Sequence, residues 1–445
     1  MFRLLRFSLV SLTLALTPYA ALTAQDAPQP LNPDAYAALT ADGAFILAQA
    51  GGAIVIEADQ PDISGGVWLP DMQRFAFPTE TGSAFVADTA GTLTPLALDG
   101  QLEPGFPLGL GLDGSILYVT GGDFMSGGDY RITLHRIAPE AGAVSQTLGE
   151  TPYTVGCGGA SMDPTDWRLW GERGFGGNPH LLAETADGIV YTSFCGASEL
   201  AVFDPATGET RPLTPNALVN PFGKRPVSAL QAVSTFYTRP ALSPDGSAIA
   251  LVAFDPNAAN SFSAAGQVVL LDVATGALTP VPTSASAETV AWGPNGSLFY
   301  STRTRVNDLT AQLDPAARER VATQGFGFVG EVGADFGVPA YEIALFQIDP
   351  VSGEETAVFN VYASNIGTMT MNRDASALYF TTVANLDAWV SAIVAGTFDP
   401  MTADRETAFA LIPVNAYRLP IVGGVPTLGG EDPLVGALAQ FTVAR

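Results

Sequence analysis

PALSPDGSAIALVAF (240–254) and QVVLLDVATGALTPV (267–281) read as four short β-strands in a two-part rhythm. A strand at Pro240–Ser243 meets a tight turn at Pro244-Asp245-Gly246, and the apolar strand Ala248–Phe254 follows. A third strand (Gln267–Val273) meets a turn at Thr275-Gly276, and a fourth closes the unit at Ala277–Val281. Each turn has a mechanism: proline presets φ, aspartate bonds its own backbone, and glycine accepts φ > 0.

The same order recurs along the chain. One unit runs over 36–57, with Asp42-Gly43 and Gly51-Gly52 turns, and lacks a fourth strand. Others begin at VWLPDMQRFAF (67–77), LGLGLDGSILYV (108–119), LLAETADGIVYTSF (181–194), TVAWGPNGSLFYSTRT (289–304) and TMTMNRDASALYFTTV (368–383). After the last comes a less regular tail. A third strand ending in aspartate (Asp204, Asp272, Asp349), with Thr-Gly or Ser-Gly just beyond, marks several of them. The shorter spacings bracket the ~40–50 residues of a propeller blade, and the longer ones imply insertions.

The pattern Pro-x-x-Ser-Pro-Asp-Gly-x-x-Ile-Ala at 240–250, followed by an apolar strand ending in aspartate, resembles the repeat of TolB-like β-propellers. The resemblance is at repeat level and covers most of 36–415. It implies an all-β fold, a single β-propeller of seven four-stranded blades, with six or eight still open. A C-terminal strand within Leu434–Val443 is expected to supply the strand the first unit lacks. Propellers of that family are mostly binding platforms or appendages to peptidase domains, and no peptidase domain is left over here.

Strand alternation sorts the connections. Turns joining first to second and third to fourth strands share one side, and all are short. The other side takes the insertions 121–130, 149–179, 214–239, 255–266 and 305–342, so function is expected there. Within 305–342, Asp314, Pro315 and Gly325 bound a candidate helix.

Composition bounds the partners. The chain has 445 residues and a net charge of −25, with 14% charged residues and Lys224 as its one lysine. Such acidity repels phosphate backbones and anionic lipid, so no nucleic-acid partner is expected. Arg3 and Arg6, the apolar run Phe7–Leu16 and Leu22-Thr23-Ala24 read as an export signal over 1–24. Residues 25–35 form a Pro-rich lead-in, and 36–445 form the propeller with its insertions. No later run is long enough to span a bilayer. The expected location is secreted or periplasmic, and the expected state monomeric. Cys157 and Cys195 are the two cysteines, and in an oxidising compartment one disulfide is the simplest reading. Two free thiols or a metal pair is the alternative.

Candidate chemistry is sparse. Of the two histidines, His180 starts an inner strand near the expected channel mouth, and His135 reads as a packing or edge residue. Asp163, Asp166, Trp167, Arg168, Trp170, Glu172 and Arg173 are the richest group of functional side chains. Trp167, Arg168, Trp170 and Arg173 suit a sugar or peptide surface, against a simpler role in pinning a long loop. No cofactor is expected. Asp163 and Asp166 leave Ca²⁺ open, without EF-hand spacing. Turn carboxylates such as Asp113 and Asp245 read as turn formers. No Gly-x-Ser-x-Gly elbow is present. The leading expectation is a non-catalytic binding or scaffold propeller with a protein or glycan partner on its long-loop side. The alternative is a propeller enzyme acting on a carbohydrate or related small substrate at the channel mouth. A purely structural envelope protein is the third reading.

Overall fold

A computed structural model describes residues 35–444 except 50–51, 104–105, 122–129, 154–180, 195–198, 215–235, 255–265, 317–338, 364, 427–432 and most of 400–412. Its strands fall in successive meanders. The first holds β1 (Tyr36–Thr40), β2 (Phe45–Gln49) and β3 (Gly52–Ile56), and the second β4 (Val67–Trp68), β5 (Arg74–Pro78), β6 (Ala84–Asp88) and β7 (Leu93–Pro95). Next come β8 (Gly109–Leu110), β9 (Ile116–Gly121), β10 (Tyr130–Ile137) and β11 (Gln146–Tyr153). The fourth meander is β12 (Leu182–Thr185), β13 (Gly188–Phe194), β14 (Glu199–Phe203) and β15 (Thr210–Pro212). The fifth is β16 (Phe236–Leu242), β17 (Ala248–Phe254), β18 (Gln267–Asp272) and β19 (Leu278–Pro280). The sixth is β20 (Thr289–Trp292), β21 (Leu298–Asp308), β22 (Pro339–Ile348) and β23 (Glu355–Tyr362). The last contains β24 (Asn365–Met371), β25 (Ala377–Val383), helix α1 (Asp387–Ala395), β26 (Val414–Val422), β27 (Val425–Pro426) and β28 (Val435–Val443).

Within each meander neighbouring strands pair antiparallel in chain order. The exception is the first, where the C-terminal β28 pairs along β1, from Tyr36↔Val443 to Thr40↔Leu438. Near its start β28 also pairs with β26, so the last and first meanders form one sheet ordered β24-β25-β26-β28-β1-β2-β3. The strand expected within 434–443 is therefore present. It sits beside β1, which makes β1 a second strand and puts Asp42-Gly43 between second and third strands. By alternation that turn lies on the long-loop side, unlike the other Asp-Gly turns.

Second strands are apolar on both faces because each sheet is covered by a neighbour on either side. On β9, Ile116 and Tyr118 pack against β5 and β6 residues, while Leu117 and Val119 pack with β12–β14. This period-two division recurs, so that clusters of buried side chains alternate with the meanders. One joins the last meander back to Tyr36, Ala38 and Ala48 of the first. Where inner strands β8 and β12 meet through Ala183↔Leu110, a Cβ on Gly109 would lie 2.4 Å from the Leu182 carbonyl oxygen. Only glycine fits there.

The strands trim several expected insertions. Residues 236–239 belong to β16, 149–153 to β11, and 305–308 and 339–342 to β21 and β22. The irregular tail is ordered by α1 and β26. Helix α1 starts with Asp387 in its first turn and ends at Gly396 in the left-handed region (φ 69°), whose N–H bonds the last carbonyls. It buries Trp389, Val390 and Ile393. The helix expected after Asp314 begins at Pro315, and its remainder lies outside the described residues. No described helix is long and apolar enough to cross a membrane.

Candidate site on the long-loop side

On the short-turn side the turn aspartates serve their own turns, and Arg136 ties Asp113 to Glu184. Asp113 Oδ1 accepts from the Ser115 N–H at 3.0 Å, Asp245 Oδ1 from the Ser247 N–H at 3.1 Å, and Asp374 Oδ1 from the Ser376 N–H at 3.1 Å. Serine hydroxyls donate to Asp113 and Asp245 as well. These bonds, serine hydroxyls foremost, hold the three carboxyls below the usual carboxylate range. Asp88, Asp204, Asp272 and Asp349 do the same in the outer turns. As the sequence implies, these are turn formers. Among the described residues, no three His, Cys, Asp or Glu side chains gather as a metal site.

The long-loop side is built differently. Strand β20 stops pairing with β21 at Thr289↔Ser301, yet β21 continues to Asp308 against β22. The extra length is a ribbon projecting beyond the four-stranded body. Its far end is fixed by neighbours: Leu309 and Ala340 are buried with Trp389, Val390, Ile393 and Phe398. Asn385 clamps Tyr341, with Oδ1 accepting from its N–H at 3.1 Å and Nδ2 donating to its carbonyl at 3.3 Å.

On one face of this ribbon Arg303 Nε lies 2.7 Å from Glu288 Oε1, with the two side chains 18% and 22% exposed. The Arg303 guanidinium also sits 4.5 Å over the Tyr341 ring. Glu288 is held at the start of β20 by its N–H, which donates to the Ser301 carbonyl at 2.8 Å. Beneath it, Thr289 and Ser301 share a buried 2.6 Å hydroxyl contact. Burial raises the Tyr341 phenol above its ordinary range, opposed by Arg303 and Arg305. A carboxylate, a guanidinium and an aromatic ring thus converge at the end of an inner strand. Together they can accept and donate hydrogen bonds to hydroxyl groups and offer an apolar ring face.

Residues named from the sequence fare unevenly. His135 is 3% exposed, bonded through Nε2 to Thr120 Oγ1 at 2.8 Å and stacked on Tyr118 at 4.7 Å. It is a packing residue, and burial depresses its imidazole pKa. Trp167, Arg168, Trp170, Arg173, His180, Asp163, Asp166, Cys157 and Cys195 lie outside the described residues. Glu288, Arg303 and Tyr341 escape a sequence reading. The run Thr302-Arg303-Thr304-Arg305 is polar on both strand faces, and periodicity marks only strands with an apolar side.

No family model matches the chain, and no curated protein matches it. Solved structures similar to it include the oligogalacturonate lyase of Vibrio parahaemolyticus, at 9% identity over 80% of this chain and 89% of that one, TM-score 0.48. The Cps50 (Swd1) β-propeller domain of Myceliophteria thermophila gives 12% identity, 79% and 90% coverage, and TM-score 0.40. The virginiamycin B lyase of Staphylococcus aureus gives 11%, 79% and 92%, and 0.37. Propellers and enzymes are thus among the similar structures, and at these values none lends a residue role to this chain.

Proposed function

We propose that this chain is an exported, seven-bladed β-propeller that takes a carbohydrate or related small polar substrate on its long-loop side. This puts the substrate-acting reading ahead of the inert scaffold. The observation that carries it is the meeting of a carboxylate, a guanidinium and an aromatic ring at one inner-strand end. The turn aspartates of the short-turn side stabilise their own turns, whereas Glu288, Arg303 and Tyr341 form no turn and meet at an inner-strand end. Saccharide recognition calls for that mixture: charged groups that bond pairs of hydroxyls and a ring for the apolar sugar face. The alternation of core clusters with meanders, returning from the last to the first, supports the blade count. The export signal, the Cys157–Cys195 disulfide and the Trp167–Arg173 group belong to the same proposal.

The test is an array of neutral, amino and uronic oligosaccharides probed with wild type, Arg303→Ala and Glu288→Gln. The uronic members are included because one similar structure is an oligogalacturonate lyase. Wild type binds at least one class, and each variant weakens it about tenfold, as loss of a charged hydrogen-bond partner does. No binding to any class by wild type overturns the proposal and returns the weight to a protein partner.

A further inference from the structure

The ribbon has a second face. Cross-strand register sets Thr304 opposite Glu342 and Glu342 opposite Tyr362, so the three side chains form a row on one face. Asn360, on the same face, donates from Nδ2 to Glu342 Oε1 at 2.8 Å. Glu342, Asn360 and Tyr362 line a shallow groove of about 280 Å³ with Val306 and Val361. Tyr362 is 52% exposed, the only aromatic among the exposed large hydrophobic residues described.

Charge distinguishes the two faces. Arg303 and Arg305 lie on the opposite face, engaged with Glu288 at 2.7 Å and Asp308 at 3.0 Å. The Tyr362 face carries Glu342, and Asp387 at the start of α1 is close enough that its negative field adds to desolvation in raising the Tyr362 phenol. Beyond this bond, the second Asn360 N–H, its carbonyl and the other Glu342 oxygen can meet a ligand's hydroxyl or amino groups.

We propose that Glu342, Asn360 and Tyr362 form a saccharide subsite that takes an uncharged or amino sugar and rejects a uronate. The sugar's apolar face stacks on Tyr362, and its polar edge meets Glu342 and Asn360. A uronate carboxylate there faces the Glu342 carboxylate, and none of the described residues lining the groove is cationic. The subsite rests on the long-loop reading above and narrows its substrate class. Because Leu309, Ala340 and Asn385 hold the far end of the ribbon against the last meander, the row is fixed at both ends of its length.

Calorimetric titration of the full chain with a glucosamine oligomer, a cellulose oligomer and a galacturonate oligomer tests it. Wild type binds the first two and not the third. Tyr362→Ala weakens that binding about tenfold, the value of one aromatic contact. Glu342→Gln removes the preference for the amino sugar while leaving the neutral one bound. Both positions are exposed, so the thermal midpoint stays that of wild type. Galacturonate binding as tight as the others, or unchanged binding in Tyr362→Ala, overturns the subsite. Sugar binding lost in Arg303→Ala but not in Tyr362→Ala overturns the subsite alone and keeps the long-loop reading. No sugar bound by wild type overturns both.

Discussion

Replacing Phe441 by alanine probes how the chain closes. Phe441 is 5% exposed on β28, with ring centroids 5.7 Å from Tyr36 on β1 and 6.3 Å from Tyr379 on β25. It therefore packs simultaneously on the first and last meanders. Large-to-small substitution of a buried phenylalanine costs about 3–5 kcal/mol through lost transfer energy and the cavity left behind. Two aromatic contacts place this site toward the upper part of that range. A domain's net stability is only about 5–15 kcal/mol, so the loss is a large fraction of the whole. Urea denaturation followed by tryptophan fluorescence and far-UV dichroism together reports it. The expected result is a midpoint shift equal by both probes, since the first and last meanders share one core. Val422→Ala, at a position 66% exposed, is the control and leaves the midpoint in place. A loss under about 1 kcal/mol for Phe441→Ala would refute the reasoning, because a surface strand costs that little.

Three further outcomes follow from named contacts. Tyr191 is buried, its phenol pushed up to about 12 by burial, and its hydroxyl meets Thr151 Oγ1 at 2.6 Å and the Pro152 carbonyl at 3.0 Å. Tyr191→Phe is expected to cost about 1–3 kcal/mol by leaving buried partners unsatisfied, read from the urea midpoint. For His135, burial lowers the folded pKa below its unfolded value, so the unfolded chain binds the proton first. Stability is complete above about pH 6.5 and declines as pH falls below that value toward the folded pKa. Thermal melts at successive pH values show this slope in wild type and its loss in His135→Gln. Turn carboxylates Asp113, Asp245 and Asp272 are also depressed, chiefly by serine and threonine hydroxyls. Their contribution is present above about pH 4 and disappears as pH falls through their folded pKa values, so a second, acidic loss of stability is expected in the same melts.

How far the sequence carries depends on what each residue has to satisfy. Pro244-Asp245-Gly246 announces its hairpin because the turn needs φ > 0 at Gly246 (φ 74°) and an acceptor for the Ser247 N–H. The apolar β17 and β25 announce themselves because both of their faces are covered. Asp42-Gly43 is legible as a turn, but not its side, since turn chemistry is local and the position of β28 is not. Helix α1 is hidden from a strand rhythm because it interrupts the meander between β25 and β26, although Asp387 and Gly396 are ordinary helix-end signals. The candidate site is hardest to read. Glu288 and Arg303 meet only once β20 and β21 pair, and Glu342 meets Tyr362 only through the register of β22 with β23. Neither pair is adjacent in sequence or marked by a motif.

Hydrogen–deuterium exchange of the full chain, with and without a bound oligosaccharide, tests the central claim most directly. Added protection is expected across 288–308, 339–343 and 355–362, with the turns at 111–115, 243–247 and 372–376 unchanged. Protection confined to those short turns would contradict it.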